Sequence, residues 1–284
     1  MKIKLAAVAL ASAVVFAGCG SNNNEADNAK EASANAEQQV SKVENWDEIT
    51  GQYRQFALDQ TDMLVAETDK FVQAVKSGKV EEAKSLYAPT RMYYERIEPI
   101  AEALGDLDPN IDARENDVEE KDWRGFHRIE QALWVNNTTA GAEDYASQLL
   151  DDTKTLRALI ETVEVEPSLL VTGAVELLNE VSSSKVTGEE ERYSHTDLYD
   201  FAANVEGAKK IYELLKAELN KQDADLEAQI GTSFDNLDQA LAAYKSGDGY
   251  VSYLDLKEED TKKLSQLLDA LAEPLSQMGT ILGA

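Results

Sequence analysis

From Trp46 onward the large apolar residues recur every three or four positions, as Phe56, Met63, Leu64, Phe71 and Val75 do. The strict apolar–polar alternation of a half-buried strand is absent. A period near 3.6 puts such residues on one side of a helix, so the chain is expected to be all-α. The same spacing predicts helices at 45–77, 79–104, 122–136, 142–164, 167–184, 197–220, 222–246 and 258–280. Eight helices suit two packed four-helix bundles in one chain, with a division near residue 165. A chain of 284 residues that is 43% hydrophobic can bury a core of that size.

Punctuation residues refine this reading. Gly78 and Gly105 stand where helices should stop, Pro167 suits a first helical turn, and Asp122 is placed to cap the helix that follows. Pro89 and Pro99 each lack an amide proton, so they should bend or interrupt the second helix on either side of Glu95 and Glu98. Two segments break the helical period. One is the acidic run from Gly105 to Glu115, and the other extends from Thr187 to Leu198. Long connections in a compact region are usually functional or disordered.

The N-terminus is of a different kind. Met1-Lys2-Ile3-Lys4 precedes an apolar run from Leu5 to Ala17 and then Gly18-Cys19, a pattern of a secretory signal over residues 1–18. Phe16-Ala17-Gly18-Cys19 resembles a bacterial lipobox, in which Cys19 would be lipidated and palmitate-bearing, although Phe stands where Leu is commoner. The alternative is plain secretion with a free thiol, a liability in an oxidising compartment. Cys19 is the one cysteine, so no disulfide can form within the chain. Ser21 to about Ser41 holds Asn, Ala, Glu and Ser with no large apolar residue until Val40, and residues 19–44 therefore read as a flexible, lipid-anchored tether. These features place the protein at the extracytoplasmic face of the cell membrane.

The formal charge is −27, from 54 acidic and 27 basic residues. It excludes a basic nucleic-acid footprint and disfavours direct docking on anionic headgroups, and it makes a cation the natural partner. His127 and Glu130 lie three apart, as do Glu95 and Glu98, so each pair shares a helix face. Such pairs on neighbouring helices are the device of carboxylate-bridged metal proteins. Asp112 from the acidic connection and a glutamate of the 189–191 run could complete an oxygen-rich shell with one nitrogen. Those donors favour iron, manganese or calcium over copper(I), with iron, Fe3+ or Fe2+, the leading ion and other divalent metals as alternatives. The bland alternative is a surface ion pair, with Arg96, Arg114, Arg124 and Arg128 neutralising the carboxylates. The interleaved aromatics Tyr93, Tyr94, Trp123, Phe126 and Trp134 read as core packing. Asp106, Asp108 and Glu115 read as a solvated loop. His195 reads as a cap for the helix opened by Thr196 or Asp197, or, with Asp197, as a residue supporting the ligands from behind.

Four motifs in order carry a resemblance. They are Arg91-Met92-Tyr93-Tyr94-Glu95-Arg96-Ile97-Glu98-Pro99, Gly105-Asp106-Leu107-Asp108-Pro109 with Ile111-Asp112-Ala113-Arg114, Gly125-Phe126-His127-Arg128-Ile129-Glu130, and Thr187-Gly188-Glu189-Glu190-Glu191 with Tyr193-Ser194-His195-Thr196-Asp197-Leu198. Together they resemble the EfeO/EfeM iron-uptake lipoproteins of the imelysin-like group, over about 45 to 280, in the short form without an N-terminal cupredoxin domain. The resemblance implies an imelysin-like helical domain over 45–284 that binds iron for a membrane permease of the EfeU type, in some systems beside a dye-decolorizing haem peroxidase. The metal site it implies falls on Glu95, Glu98, Asp112, His127, Glu130 and Glu190.

Two other functions compete. Imelysin-like proteins have been labelled metallopeptidases, but Arg128 follows His127 and Gln131 follows Glu130, so neither H-E-x-x-H nor its inverse is present. Binding of anionic polysaccharide is opposed by the negative charge unless metal ions bridge the two. The expectation is a non-enzymatic iron binder with no catalytic residues.

Overall fold

The computed structural model describes residues 43–183 and 185–283. The signal segment, Cys19 and most of the tether lie outside these residues, while Val43 is already buried against the core. The helices are α1 (Trp46–Lys76), α2 (Val80–Glu95), α3 (Glu98–Glu102), α4 (Leu107–Asp112), α5 (Phe126–Trp134), α6 (Glu143–Thr162), α7 (Pro167–Ser183), α8 (Asp197–Gln222), α9 (Ala224–Ala242) and α10 (Glu258–Leu282). The all-α expectation holds. Tyr53, Ala57, Thr61, Leu64, Thr68, Phe71 and Val75 form the buried stripe of α1, spaced three or four apart as the sequence period requires.

α1 packs on α2 and α6, α2 also meets α5, and α7, α8, α9 and α10 pack on one another. α2 lies against α8, and the buried apolar side chains form a continuous core. Along this contact Arg91 and Glu95 of α2 meet Asp200 and Asn204 of α8.

The predicted second helix is divided, but at one place only. α2 runs through Pro89 and ends at Glu95; after Arg96 and Ile97 the chain restarts as α3 with Pro99 in its first turn, where a missing amide costs no bond. This interruption re-aims the chain between Glu95 and Glu98. Gly207 of α8 packs against it so closely that a Cβ there would lie 2.4 Å from the Arg96 carbonyl oxygen.

The acidic connection 105–115 is ordered rather than loose. It contains α4, and the Trp123 indole N–H donates to the Ala113 carbonyl at 2.8 Å, with the Trp123 ring buried. α5 begins later than expected. Asp122 is exposed and caps nothing; the start is Gly125, at φ 89°, where a Cβ would sit 2.2 Å from the Ile111 carbonyl oxygen. Only glycine tolerates both that φ and that approach, and the close approach sets the end of α4, with Asp112, beside the start of α5, with His127.

The sequence reading missed one strand pair. The helix predicted to reach 246 ends at Ala242, and Lys245–Ser246 (β1) pairs antiparallel with Gly249–Tyr250 (β2).

Candidate metal centre

α2 presents Arg91 and Glu95 on its inner face, four residues apart and fully buried. Burying a guanidinium is costly unless carboxylates surround it. Here Nε lies 2.6 Å from Glu191 and 3.3 Å from Asp200, and the terminal nitrogens reach Glu95 at 2.6 Å, Glu190 at 3.9 Å and the Asp112 carboxylate. Arg91 is the hub of the centre.

His127 is buried at one edge of this hub. Its Nδ1 lies 3.2 Å from Glu130 Oε2, and Glu130 is itself held by the backbone amides of Tyr193 and Ser194 at 3.0 and 2.7 Å. Burial would raise the Glu130 carboxyl, but the His127 bond and charge and the Ser194 amide hold it below the usual range. An ionised Glu130 fixes Nδ1 as the donor and turns Nε2 toward Asp112 Oδ1 and Glu190 Oε1, each 3.6 Å away. Nε2 is buried and has no hydrogen-bond partner among the described residues. Donors around an ion with bonds of about 2.1 Å stand roughly 3–3.5 Å apart, so Nε2, Asp112 and Glu190 are spaced to close on a cation with small adjustments.

Burial and the Arg91 charge lower the His127 imidazole, yet Glu130, Glu190 and Glu191 outweigh them and raise it to about 10. Without an ion the ring therefore carries a proton at neutral pH. Burial raises Asp112 to about 6 against the pull of Arg91. Glu190, which burial alone would raise, is held well below the usual range by Lys185, His127 and Arg114. Glu191 and Asp200 are pushed well up, chiefly by burial.

Glu95 and Glu98 stand on the other side of Arg91. Lys185, on a 3-10 turn over Lys185–Thr187, is fully buried, with Nζ 2.9 Å from Glu95 Oε2 and 3.4 Å from Glu98 Oε2. The Asn204 amide donates to the same two oxygens at 3.1 and 2.9 Å. Both Glu95 oxygens are thus engaged, Oε1 by Arg91 and Oε2 by Lys185 and Asn204. Burial and Glu95 push the Glu98 carboxyl well up against the pull of Lys185. Glu98 joins Asp112, Arg114 and Glu190 in lining a cavity of about 180 Å³, also bordered by Glu102 and Asp108.

The six residues expected at the site thus occupy one neighbourhood with unequal placement. Asp112, His127 and Glu190 come within coordinating range of one point, Glu98 shares a cavity lining with Asp112 and Glu190, Glu130 holds the opposite ring nitrogen, and Glu95 is tied to buried cations. A second group, His127, Glu130 and Glu191, also comes within coordinating range of one point. Its donors are already used, by the ring N–H, two backbone amides, Arg91 and Ser194.

Of the arginines expected to neutralise the acids, only Arg114 does so here, with NH1 2.8 Å from Glu190 and Nε 2.9 Å from Asp117. Arg96 pairs with Glu206, Arg124 with Asp152 and Arg128 with Glu120, all away from the centre. The residues missed are Arg91, Lys185, Asp200 and Asn204, while Glu191 belongs to the 189–191 run from which one glutamate was expected. Arg91 and Glu95 could have been found as an i,i+4 pair on a helix whose other inward residues carry no charge. His195, at φ 56°, acts through its backbone, donating to Glu191 O and accepting from Tyr253 N, each at 2.9 Å. Asp197 accepts the Glu191 amide at 3.1 Å and steadies that residue. Asp108 and Glu115 are not merely solvated, since Tyr94 OH donates to Asp108 and Tyr193 OH donates to Glu115 at 2.6 Å.

A family model described as imelysin, under a peptidase name, matches residues 49–278. The chain is 47% identical to an "Efem/EfeO family lipoprotein" of Staphylococcus haemolyticus, over 98% of this chain and 99% of that one. It is 46% identical to the "Iron uptake system component EfeO" of Escherichia coli K12, over 89% of this chain and 68% of that protein, and equally so to the protein of that name in Shigella flexneri. Among the described residues no helix is long and apolar enough to cross a membrane.

Proposed function

The chain belongs to the imelysin family, and from that premise we propose that it is a non-enzymatic, extracytoplasmic iron-binding lipoprotein that captures iron and delivers it to a membrane permease. The observation that carries this is His127 Nε2, buried without a hydrogen bond and set between the Asp112 and Glu190 carboxylates, each 3.6 Å away.

Iron is the cargo. His127 Nε2, Asp112 and Glu190 would hold it, with Glu98 added from the cavity side, a set of hard oxygens and one imidazole that suits iron in either oxidation state. Glu130 keeps the ring turned by holding Nδ1, the arrangement usual for histidine ligands. Capture is then ligand exchange: the ion sheds water in the acidic cavity and the His127 proton leaves. Delivery reverses these steps at a permease of the EfeU type, with a dye-decolorizing haem peroxidase as a further partner in some systems. Lipidation at Cys19 would keep the protein near that permease.

The peptidase name does not fit the residue chemistry. A zincin sets its water-activating glutamate next to the first histidine. Here that neighbour is Arg128, stacked 4.6 Å from the Trp123 ring centre and paired with Glu120.

The test is titration of the whole protein with ferrous ion without oxygen and with ferric ion in air, followed by metal analysis. The parent is expected to take up iron and His127→Ala to lose it. Equal uptake by a folded His127→Ala protein would overturn the assignment.

A further inference from the structure

Glu95 and Glu98 present their Oε2 atoms to one shared point, and that point is taken by a lysine. The Lys185 ammonium lies 2.9 Å from one oxygen and 3.4 Å from the other, with Glu180 Oε1 at 4.0 Å. The Asn204 amide, donating to the same pair, keeps the two carboxylates converged. Two acidic oxygens gathered around a buried positive charge form a cation position, filled here by a side chain of the protein.

Glu98 has two faces. One accepts from Lys185 and Asn204, and the other borders the cavity it shares with Asp112 and Glu190. An ion seated against His127 Nε2 that recruits Glu98 from the cavity side adds a second positive charge to the carboxylate that Lys185 already holds. Arg91, the other buried cation, is bound by several carboxylates at once through a rigid fork and cannot retreat without abandoning them all. Lysine is a point charge on a flexible stem, suited to yielding and returning.

We propose that Lys185 is an internal counter-cation that competes with the iron cargo for Glu98 and holds the affinity of the centre down to a level that permits release. This rests on the metal-centre reading given above. The Lys185 ammonium is buried against three carboxylates, Glu95 at 2.9 Å, Glu98 at 3.4 Å and Glu180 at 4.0 Å, which offset the cost of burying its charge. A fixed positive charge beside a site for a multivalent cation weakens binding, and its loss should tighten it roughly tenfold.

The experiment is anaerobic calorimetric titration of the full chain with ferrous ion, for the parent, Lys185→Met and Lys185→Arg, with thermal melting of each metal-free protein. Lys185→Met is expected to bind about tenfold more tightly and to melt lower than the parent without metal, and Lys185→Arg to keep an affinity near the parent's. A folded Lys185→Met protein with unchanged or weaker affinity overturns the proposal. If that variant does not fold without metal, the parent decides: in protein labelled with 15N-lysine, saturating diamagnetic Zn2+ is expected to shift the Lys185 Nζ resonance and speed exchange of its protons. An unmoved resonance at saturation overturns the proposal while leaving the site intact. A parent that takes up no metal at all sinks the underlying reading instead.

Discussion

Replacing Arg91 with methionine tests the electrostatic logic of the whole centre. The guanidinium is fully buried and contacts Glu95, Asp112, Glu191 and Asp200. Removing one member of a buried charge pair costs about 3–5 kcal/mol, because the remaining charge is left in a poor solvent. The four contacts do not sum, since Glu191 and Asp200 are already pushed well above the usual carboxylate range by burial and can shed charge by taking protons. We therefore expect a loss of about 3–5 kcal/mol at pH 7, or a fall of about 6–20 °C in melting temperature for a helical domain of this size. The pH dependence carries the sign. Without Arg91 the folded-state pKa values of these carboxyls rise further above their unfolded values, so the variant is relatively most stable below the unfolded values and loses stability as pH climbs through the folded ones. The gap between variant and parent should thus shrink from pH 7 to pH 5. Ferrous ion should narrow it further by supplying positive charge. Urea denaturation at both pH values, with and without metal, measures all three effects. A variant within about 1 kcal/mol of the parent at pH 7, or one whose deficit widens in acid, would refute the idea that Arg91 neutralises a carboxylate-rich interior.

The other predictions concern the ligands and their supports. With His127 raised to about 10, metal must displace its proton, so the Kd should rise at least about tenfold for each pH unit lowered from 8 to 6, and more steeply once Asp112 titrates near 6; proton release measured by calorimetry in two buffers checks this. Glu130→Gln should weaken iron binding by about 10–100-fold without abolishing it, because it loosens the ring's orientation rather than removing a donor; comparable loss to His127→Ala would mean Glu130 binds the ion itself. Arg114→Ala should speed association by roughly tenfold in stopped-flow experiments, since Arg114 bridges Asp117 and Glu190 at the cavity mouth; an unchanged rate would remove it from the access route. Gly125→Ala should cost about 1–3 kcal/mol and weaken metal binding, because its Cβ would drive α4 and Asp112 away from α5 and His127.

What the sequence revealed and concealed divides along one physical line. The major helices were legible because each has many residues repeating the same period, so single ambiguities average out. The pair three apart on one helix, His127 with Glu130, was legible too, whereas Glu95 and Glu98, read as sharing one helix face, lie on two helices. What a linear reading could not supply was which side of a paired residue faces which neighbour. His127 offers two nitrogens, and the packing of the Tyr193–Ser194 amides behind Glu130 sets Nδ1 against Glu130 and Nε2 between Asp112 and Glu190. Glu95 and Glu98 look equivalent on a helical wheel, yet the break at Arg96 and Ile97, pressed against Gly207, aims one into the buried cations and leaves the other on the cavity. The buried cations were hidden for a related reason. Lys185 lies in a short turn with no periodic signature, and nothing local marks it as inward; its burial is intelligible only once the ends of α2, α3 and α7 have brought Glu95, Glu98 and Glu180 around its ammonium. The acidity of the whole chain suggested a cation-loving protein, but among the described residues most of the aspartates and glutamates lie outside the buried interior. The informative excess is internal: Glu95, Glu98, Asp112, Glu130, Glu190, Glu191 and Asp200 surround Arg91, Lys185 and His127, so the interior holds its charge balance only by taking up protons or a metal ion. A centre in that condition exchanges one positive species for another on loading, and binding and release are then two directions of the same substitution.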